Sequence, residues 1–120
     1  MTDVAKAVRK EAKKSLDHLK ETLPLVYPVS LQWNKVGEGR HAESFRRLSK
    51  RGNLNGYIGL SDYSSLEASG ALLEVLLYQV RLMIAHEYAH LMAWDYPGQQ
   101  NDAVWASAYN ECYGELFGSH

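Results

Sequence analysis

The sequence LLEVLLYQVRLMIAHEYAHLMAW, residues 72–94, places an HExxH motif inside a long apolar run. The run predicts a helix buried in the core, and residues four apart on a helix share one face. His86 and His90 can therefore direct both imidazoles at one zinc ion. Glu87 follows His86 at about 100° around the helix, where it can act beside the metal as a general base without binding it. This stretch predicts metal-assisted hydrolysis.

The composition is that of an ordinary globular domain, with 120 residues, 46% of them hydrophobic and 22% charged. A chain of this length predicts one domain, residues 1–120. The lone cysteine, Cys112, cannot form an intrachain disulfide or a thiolate zinc site by itself, and it indicates a reducing compartment. The N-terminus has no apolar segment of the signal-peptide type, and residues 72–84 are too few and too polar to span a bilayer. We therefore expect a cytoplasmic protein without a membrane span.

Charge is unevenly distributed along the chain, although the net charge is −1. Residues 1–51 carry twelve Lys and Arg against six Asp and Glu, whereas residues 52–120 carry one Arg against eight Asp and Glu. A basic half can steer an acidic partner, but a solvated helix face followed by a charged loop explains it more simply. The basic segment 46–51 matches no nucleic-acid-binding motif. A protease acting on nucleic-acid-bound proteins is therefore the weakest functional hypothesis.

Hydrophobic periodicity predicts an α+β domain with the element order α-β-β-α-α. The first helix ends before Pro24, and Pro28 inside the next segment favours an edge strand. The Gly- and Arg-rich segment that follows has little periodicity and predicts a mobile loop. The expected elements are a helix at 2–22, a strand at 25–34, a loop at 35–54 with a helical turn at 42–48, a strand at 55–60, a turn at 62–65, a helix at 70–94, and a helix from Asn101 or Asp102 to Phe117.

A catalytic zinc usually has three protein ligands and a water, so one ligand must lie outside the HExxH motif. Five downstream side chains could supply it: Asp95, Asp102, Glu111, Glu115 and His120. Asp95 ends the same helix, and Asp102 has a competing role as a helix cap. Glu111 and Glu115 are one turn apart on a separate, mostly apolar helix that a Pro-Gly reversal can fold back. Two carboxylates there need partners, and a metal and a histidine would provide them.

HExxH followed by NECYGELFG, residues 110–118, resembles the gluzincin zinc peptidases, whose thermolysin-like members carry NExxxD-x-F-G after HExxH. The resemblance covers about residues 57–118 and implies a zincin-like minimal catalytic domain. Its zinc ligands would be His86, His90 and Glu111, and its general base would be Glu87. The spacing between the two motifs is about a residue longer than in thermolysin-like enzymes.

The same resemblance implies roles outside the ligand set. Glu115 stands where the family has Asp, and would orient a ligand histidine, most readily His86. An edge strand pairing with an extended substrate would comprise Gly56, Tyr57, Ile58, Gly59 and Leu60. The chain ends after the glutamate helix, as in the single-domain minigluzincins, some of which resemble latent zymogens. An oxyanion-stabilising group would then come from within the domain, with four candidates: Tyr88, Tyr96, Tyr109 and Tyr113.

The leading hypothesis is a zinc-dependent endopeptidase that hydrolyses an extended peptide or protein substrate, with Glu87 moving the proton. The alternative is a latent or non-catalytic zinc-binding module with a regulatory or adaptor role. An intact Glu87 favours catalysis, because a purely structural zinc site has no use for a base. The lack of a C-terminal subdomain favours the alternative.

Overall fold

The computed structural model of the chain describes residues 2–34, 41–61, 70 and 72–118. These residues form an α+β domain of three helices and a three-stranded mixed sheet, which confirms the predicted α+β class. The element order is α-β-β-β-α-α, with one strand more than predicted. The turn predicted at 62–65 lies outside the described residues. The elements are α1 (Asp3–Thr22), β1 (Val29–Trp33), β2 (Ala42–Leu48), β3 (Leu54–Leu60), α2 (Leu73–Met92) and α3 (Gly98–Phe117).

Helix α1 forms where the periodicity predicts it. The Thr2 hydroxyl accepts a hydrogen bond from the Ala5 backbone N–H at 3.1 Å and caps the first turn. The helix ends at Thr22 with Leu23 as its C-cap, because Pro24 has no N–H with which to continue it. The buried face joins the same core cluster as α2, and consists of Val8, Ala12, Leu16 and Leu19.

The sheet has the order β1-β3-β2, with β1 parallel and β2 antiparallel to β3. Strand β3 is therefore central, and the prediction that residues 56–60 form a substrate-side edge strand is wrong. Both sides of β3 are paired, so that Gly56 faces Val29 on one side and Arg46 on the other. A Cβ at Gly56 would also lie 2.7 Å from Cε2 of Tyr27, which packs against that backbone. No open backbone edge remains there for a peptide.

Strand β2 replaces the predicted loop with its helical turn at 42–48. Its sequence AESFRRL does not alternate clearly between apolar and polar residues, so pairing with β3 determines its conformation. Phe45 stacks on its cross-strand partner Tyr57 with ring centroids 5.2 Å apart. Strand β1 is shorter than the predicted 25–34, since it begins at Val29, immediately after Pro28.

Helix α2 carries the HExxH motif and is held from two sides. The Tyr88 hydroxyl donates to the Leu23 carbonyl at 2.6 Å, and the Tyr27 hydroxyl donates to the Leu91 carbonyl at 3.3 Å. Both bonds join α2 to the segment between α1 and β1. None of the helices in the described part of the chain is long and apolar enough to cross a membrane.

Helix α3 begins at Gly98, earlier than the predicted start at Asn101 or Asp102, and follows Pro97, which has an extended conformation at the N-cap position. Asn101 lies inside the first turns, and its side-chain amide donates to the Ala93 carbonyl at 2.8 Å. This bond satisfies a carbonyl at the end of α2 and fixes the reversal between the two helices. The helix ends at Phe117, as predicted, and is followed by Gly118, whose φ is 78°.

Candidate metal centre

The two motif histidines lie side by side on α2. Their Nε2 atoms are 3.0 Å apart, and the ring centroids are 4.7 Å apart with the planes at 72°. Two imidazole nitrogens bound to one tetrahedral zinc at about 2.0–2.1 Å would be about 3.3 Å apart, so this separation is close to that of a shared metal. Burial, together with the neighbouring His86, lowers the pKa of His90 and favours the neutral imidazole that binds metals. This pair of donors fits a zinc ion.

Glu87 lies beside the histidines and is only 7% exposed. It lines one cavity of about 520 Å³ together with His86 and His90. The rest of the lining comes from β2 and from the two ends of the helix reversal, and consists of Ala42, Glu43, Ser44, Trp94 and Asn101. The edge strand β2 is therefore the strand that faces the histidine pair. The sequence predicts a loop for these residues.

Two aromatic residues of α3 pack beside the histidine pair. The Trp105 ring stacks on His90 at 5.3 Å and meets His86 edge-on at 5.0 Å, while its indole N–H donates to the His86 carbonyl at 3.3 Å. Tyr109, one turn later, stacks on Trp105 at 5.3 Å. These contacts hold both imidazoles in place. Sequence reasoning missed Trp105, although its spacing of four from Tyr109 is the signal of a shared helix face.

The carboxylates of α3 do not join the pair. Glu111 is exposed and does not line the cavity. It follows Trp105 by six residues, which is about 120° away around the helix. No group of three His, Cys, Asp or Glu residues that could hold a metal occurs among the described residues. Glu111 therefore remains a predicted third ligand. In this structure its side chain does not lie with the two histidines.

Glu115 contacts a different histidine from the one predicted. Its Oε2 lies 3.0 Å from Nε2 of His18 on α1, and both side chains are more than a third exposed. The cause is the rotation of α3 about its axis. Cys112 is fully buried in the core and Trp105 faces the motif histidines, which turns Glu115 towards α1. The predicted contact with His86 is thus replaced by a surface contact between α1 and α3.

The remaining ligand candidates have other positions. Asp95 accepts from Arg46 of β2 at 2.8 Å, and Asp102 is exposed. His120 lies outside the described residues. Among the tyrosines, Tyr88 is fully buried with its hydroxyl on Leu23, and burial raises its pKa far above the usual range.

Of the other three tyrosines, Tyr109 lies nearest the motif, with its ring centroid 6.2 Å from that of His86. Tyr96 is 48% exposed beyond the end of α2, and Tyr113 stacks on Phe117 further along α3. Burial raises the pKa of Tyr109 above its ordinary value, so its hydroxyl stays protonated and able to donate at neutral pH.

The chain matches no protein-family model, no curated protein and no solved structure. The resemblance to gluzincins therefore rests on the motif residues alone. The geometry of His86, Glu87 and His90 stands independently of that resemblance.

Proposed function

We propose that the protein is a zinc-dependent peptidase in which His86 and His90 hold the metal and Glu87 is the general base. The observation that carries the proposal is the 3.0 Å approach of the two Nε2 atoms, with the buried Glu87 lining the same cavity. A pair of neutral imidazoles on one rigid helix is a donor set suited to zinc, and a carboxylate beside it is the base that hydrolysis requires.

A bound zinc would polarise the scissile carbonyl and acidify a water molecule. The chain's own residues supply the proton transfers and the positioning. The Glu87 carboxylate takes the proton of the attacking water and delivers it to the leaving amine nitrogen. Trp105 keeps the two imidazoles oriented through its ring contacts and its bond to the His86 carbonyl.

The substrate would lie along β2 in an extended conformation. Strand β2 is at the edge of the sheet that the described residues form, and three of its residues, Ala42, Glu43 and Ser44, line the cavity at the histidine pair. An edge strand offers backbone N–H and C=O groups that an extended peptide can pair with. This supports a peptide or unfolded protein as the substrate class, on β2 rather than on the central strand β3.

A second candidate is a zinc-binding module that is latent or non-catalytic. It is favoured by one observation, that the described residues contain no third His, Cys, Asp or Glu in place to complete the metal site. A site with an incomplete ligand set would bind zinc more weakly and could await a partner or a rearrangement before it acts.

The Glu87→Gln variant separates these candidates. The amide has nearly the shape of the carboxylate but cannot accept the water proton, so zinc binding should persist while hydrolysis of an unfolded protein falls by about 10²–10⁴-fold. The matched control is Glu74→Gln, an exposed carboxylate on the same helix. Its hydrolysis rate should equal that of the wild type.

The assay uses zinc-loaded protein with an unfolded protein and a peptide library, with and without a chelator. Equal hydrolysis by Glu87→Gln and the wild type would exclude Glu87 as the base. Zinc-loaded wild-type protein that cleaves nothing in the library would favour the non-catalytic candidate.

A further inference from the structure

We propose that the side-chain carbonyl oxygen of Asn101 is the third ligand of the metal held by His86 and His90. The proposal rests on the proposed function and replaces Glu111 in the ligand set. Asn101 is the one residue of α3 among those that line the cavity with the histidine pair. The sequence analysis considered Asn101 only as a possible start of this helix.

The position of Asn101 follows from its helix. It precedes Trp105 by four residues, and residues four apart lie on the same face of a helix. Trp105 contacts both histidines, with centroids 5.3 Å from His90 and 5.0 Å from His86. The face of α3 that contacts the histidine pair is therefore the face that carries Asn101. Glu111 lies about 120° around the helix from Trp105.

The orientation of the Asn101 amide is set by its hydrogen bond. Nδ2 donates to the Ala93 carbonyl at 2.8 Å. A carbonyl oxygen can only accept, so the nitrogen of the amide must face Ala93, and the assignment of nitrogen and oxygen is unambiguous. Oδ1 is then the amide atom not used in this bond, on a side chain that lines the cavity. The bond anchors Asn101 to the end of α2, the helix that carries both histidines.

The chemistry of this donor set predicts its behaviour. An amide oxygen is a neutral, hard ligand, better suited to Mg²⁺, Ca²⁺ or Mn²⁺ than to zinc, whereas the imidazoles prefer zinc. Two imidazoles and one amide should therefore bind zinc more weakly than three imidazoles would. Replacing Asn101 by histidine should strengthen zinc binding, because position 101 then carries a third imidazole that reaches the metal.

The test is competitive titration of purified full-length protein with zinc against a chelator, supported by the absorption spectrum of the Co²⁺-substituted protein. Removing an orienting contact to a metal ligand costs about 10–100-fold in affinity, so losing a direct ligand should cost at least as much. We expect Asn101→Ala to weaken zinc binding about 100-fold and Asn101→His to strengthen it about tenfold or more. Asn101→His should also change the Co²⁺ spectrum, because a nitrogen replaces an oxygen on the metal.

The matched control is Asn110→His, an exposed asparagine of the same helix about 180° around it from Asn101. Its zinc affinity should equal that of the wild type. Glu111→Ala is the rival arm and should also leave the affinity unchanged. The gain in Asn101→His keeps the test valid if Asn101→Ala unfolds through loss of its bond to Ala93.

The assignment of Asn101 as a ligand and the proposed zinc peptidase function can be refuted separately. Zinc affinity unchanged in both Asn101 variants would overturn Asn101 as the ligand. Loss of zinc in Glu111→Ala would in addition restore Glu111. A wild-type protein that binds no zinc under any condition would overturn the proposed function, and this ligand with it.

Discussion

Replacing Tyr88 by phenylalanine should destabilise the fold and leave zinc affinity and hydrolysis unchanged. Tyr88 lies within the HExxH motif, is fully buried, and donates its hydroxyl to the Leu23 carbonyl at 2.6 Å. Phenylalanine keeps the ring and its packing, and removes only the donor. The substitution therefore isolates the bond between the motif helix and the end of α1.

The size of the effect follows from the burial of the acceptor. Leaving a buried carbonyl without its partner costs about 1–3 kcal/mol. Leu23 is half-buried, so water can partly replace the lost hydroxyl, and we expect about 1–2 kcal/mol. A chain of 120 residues unfolds with an entropy of about 0.25 kcal/mol/K. The melting temperature should therefore fall by about 4–8 °C.

The assay is equilibrium urea unfolding followed by circular dichroism, in parallel with a zinc titration. Tyr96→Phe is the control, since that ring is 48% exposed and lies beyond the end of α2. Tyr88→Phe should shift the urea midpoint and leave zinc affinity as in the wild type. Unchanged stability would contradict the contribution of this bond to the fold. A loss of hydrolysis at wild-type stability would show that Tyr88 serves the site.

Two further substitutions test other contacts. Gly56→Ala should destabilise the domain by about 1–3 kcal/mol in urea unfolding, because its Cβ would lie 2.7 Å from the Tyr27 ring. The cost should shrink when Tyr27→Ala is added, and equal costs in both backgrounds would contradict the clash. Glu115→Ala should cost at most about 1 kcal/mol, because its contact with His18 is at the surface. It should leave zinc affinity unchanged, and weaker zinc binding would restore the predicted contact between Glu115 and His86.

The helices were predictable from the sequence because their burial is periodic. Val8, Ala12, Leu16 and Leu19 recur at helical spacing and are the residues that α1 buries. Strand β2 was not predictable, since AESFRRL has no clear alternation and becomes a strand by pairing with β3. The order of the strands depends on contacts between distant parts of the chain, so the sequence does not show that β3 is central.

The candidate site also has a part that the sequence predicts and a part that depends on packing. His86, Glu87 and His90 belong to one turn of one helix, so their proximity follows from local spacing. The third ligand depends on how α3 is rotated about its own axis, which the packing of Trp105 and Cys112 decides. Glu111 was predicted from its place on an apolar helix and from the resemblance, and neither of these fixes the rotation of that helix.

The most direct test of the central claim is zinc stoichiometry and affinity, measured on wild-type protein and on the His86→Ala and His90→Ala variants. Protein purified without chelator and then supplied with zinc should hold one ion per chain, and each histidine variant should lose it while remaining folded by circular dichroism. A wild-type protein that takes up no zinc, or one whose zinc binding survives both substitutions, would contradict the account.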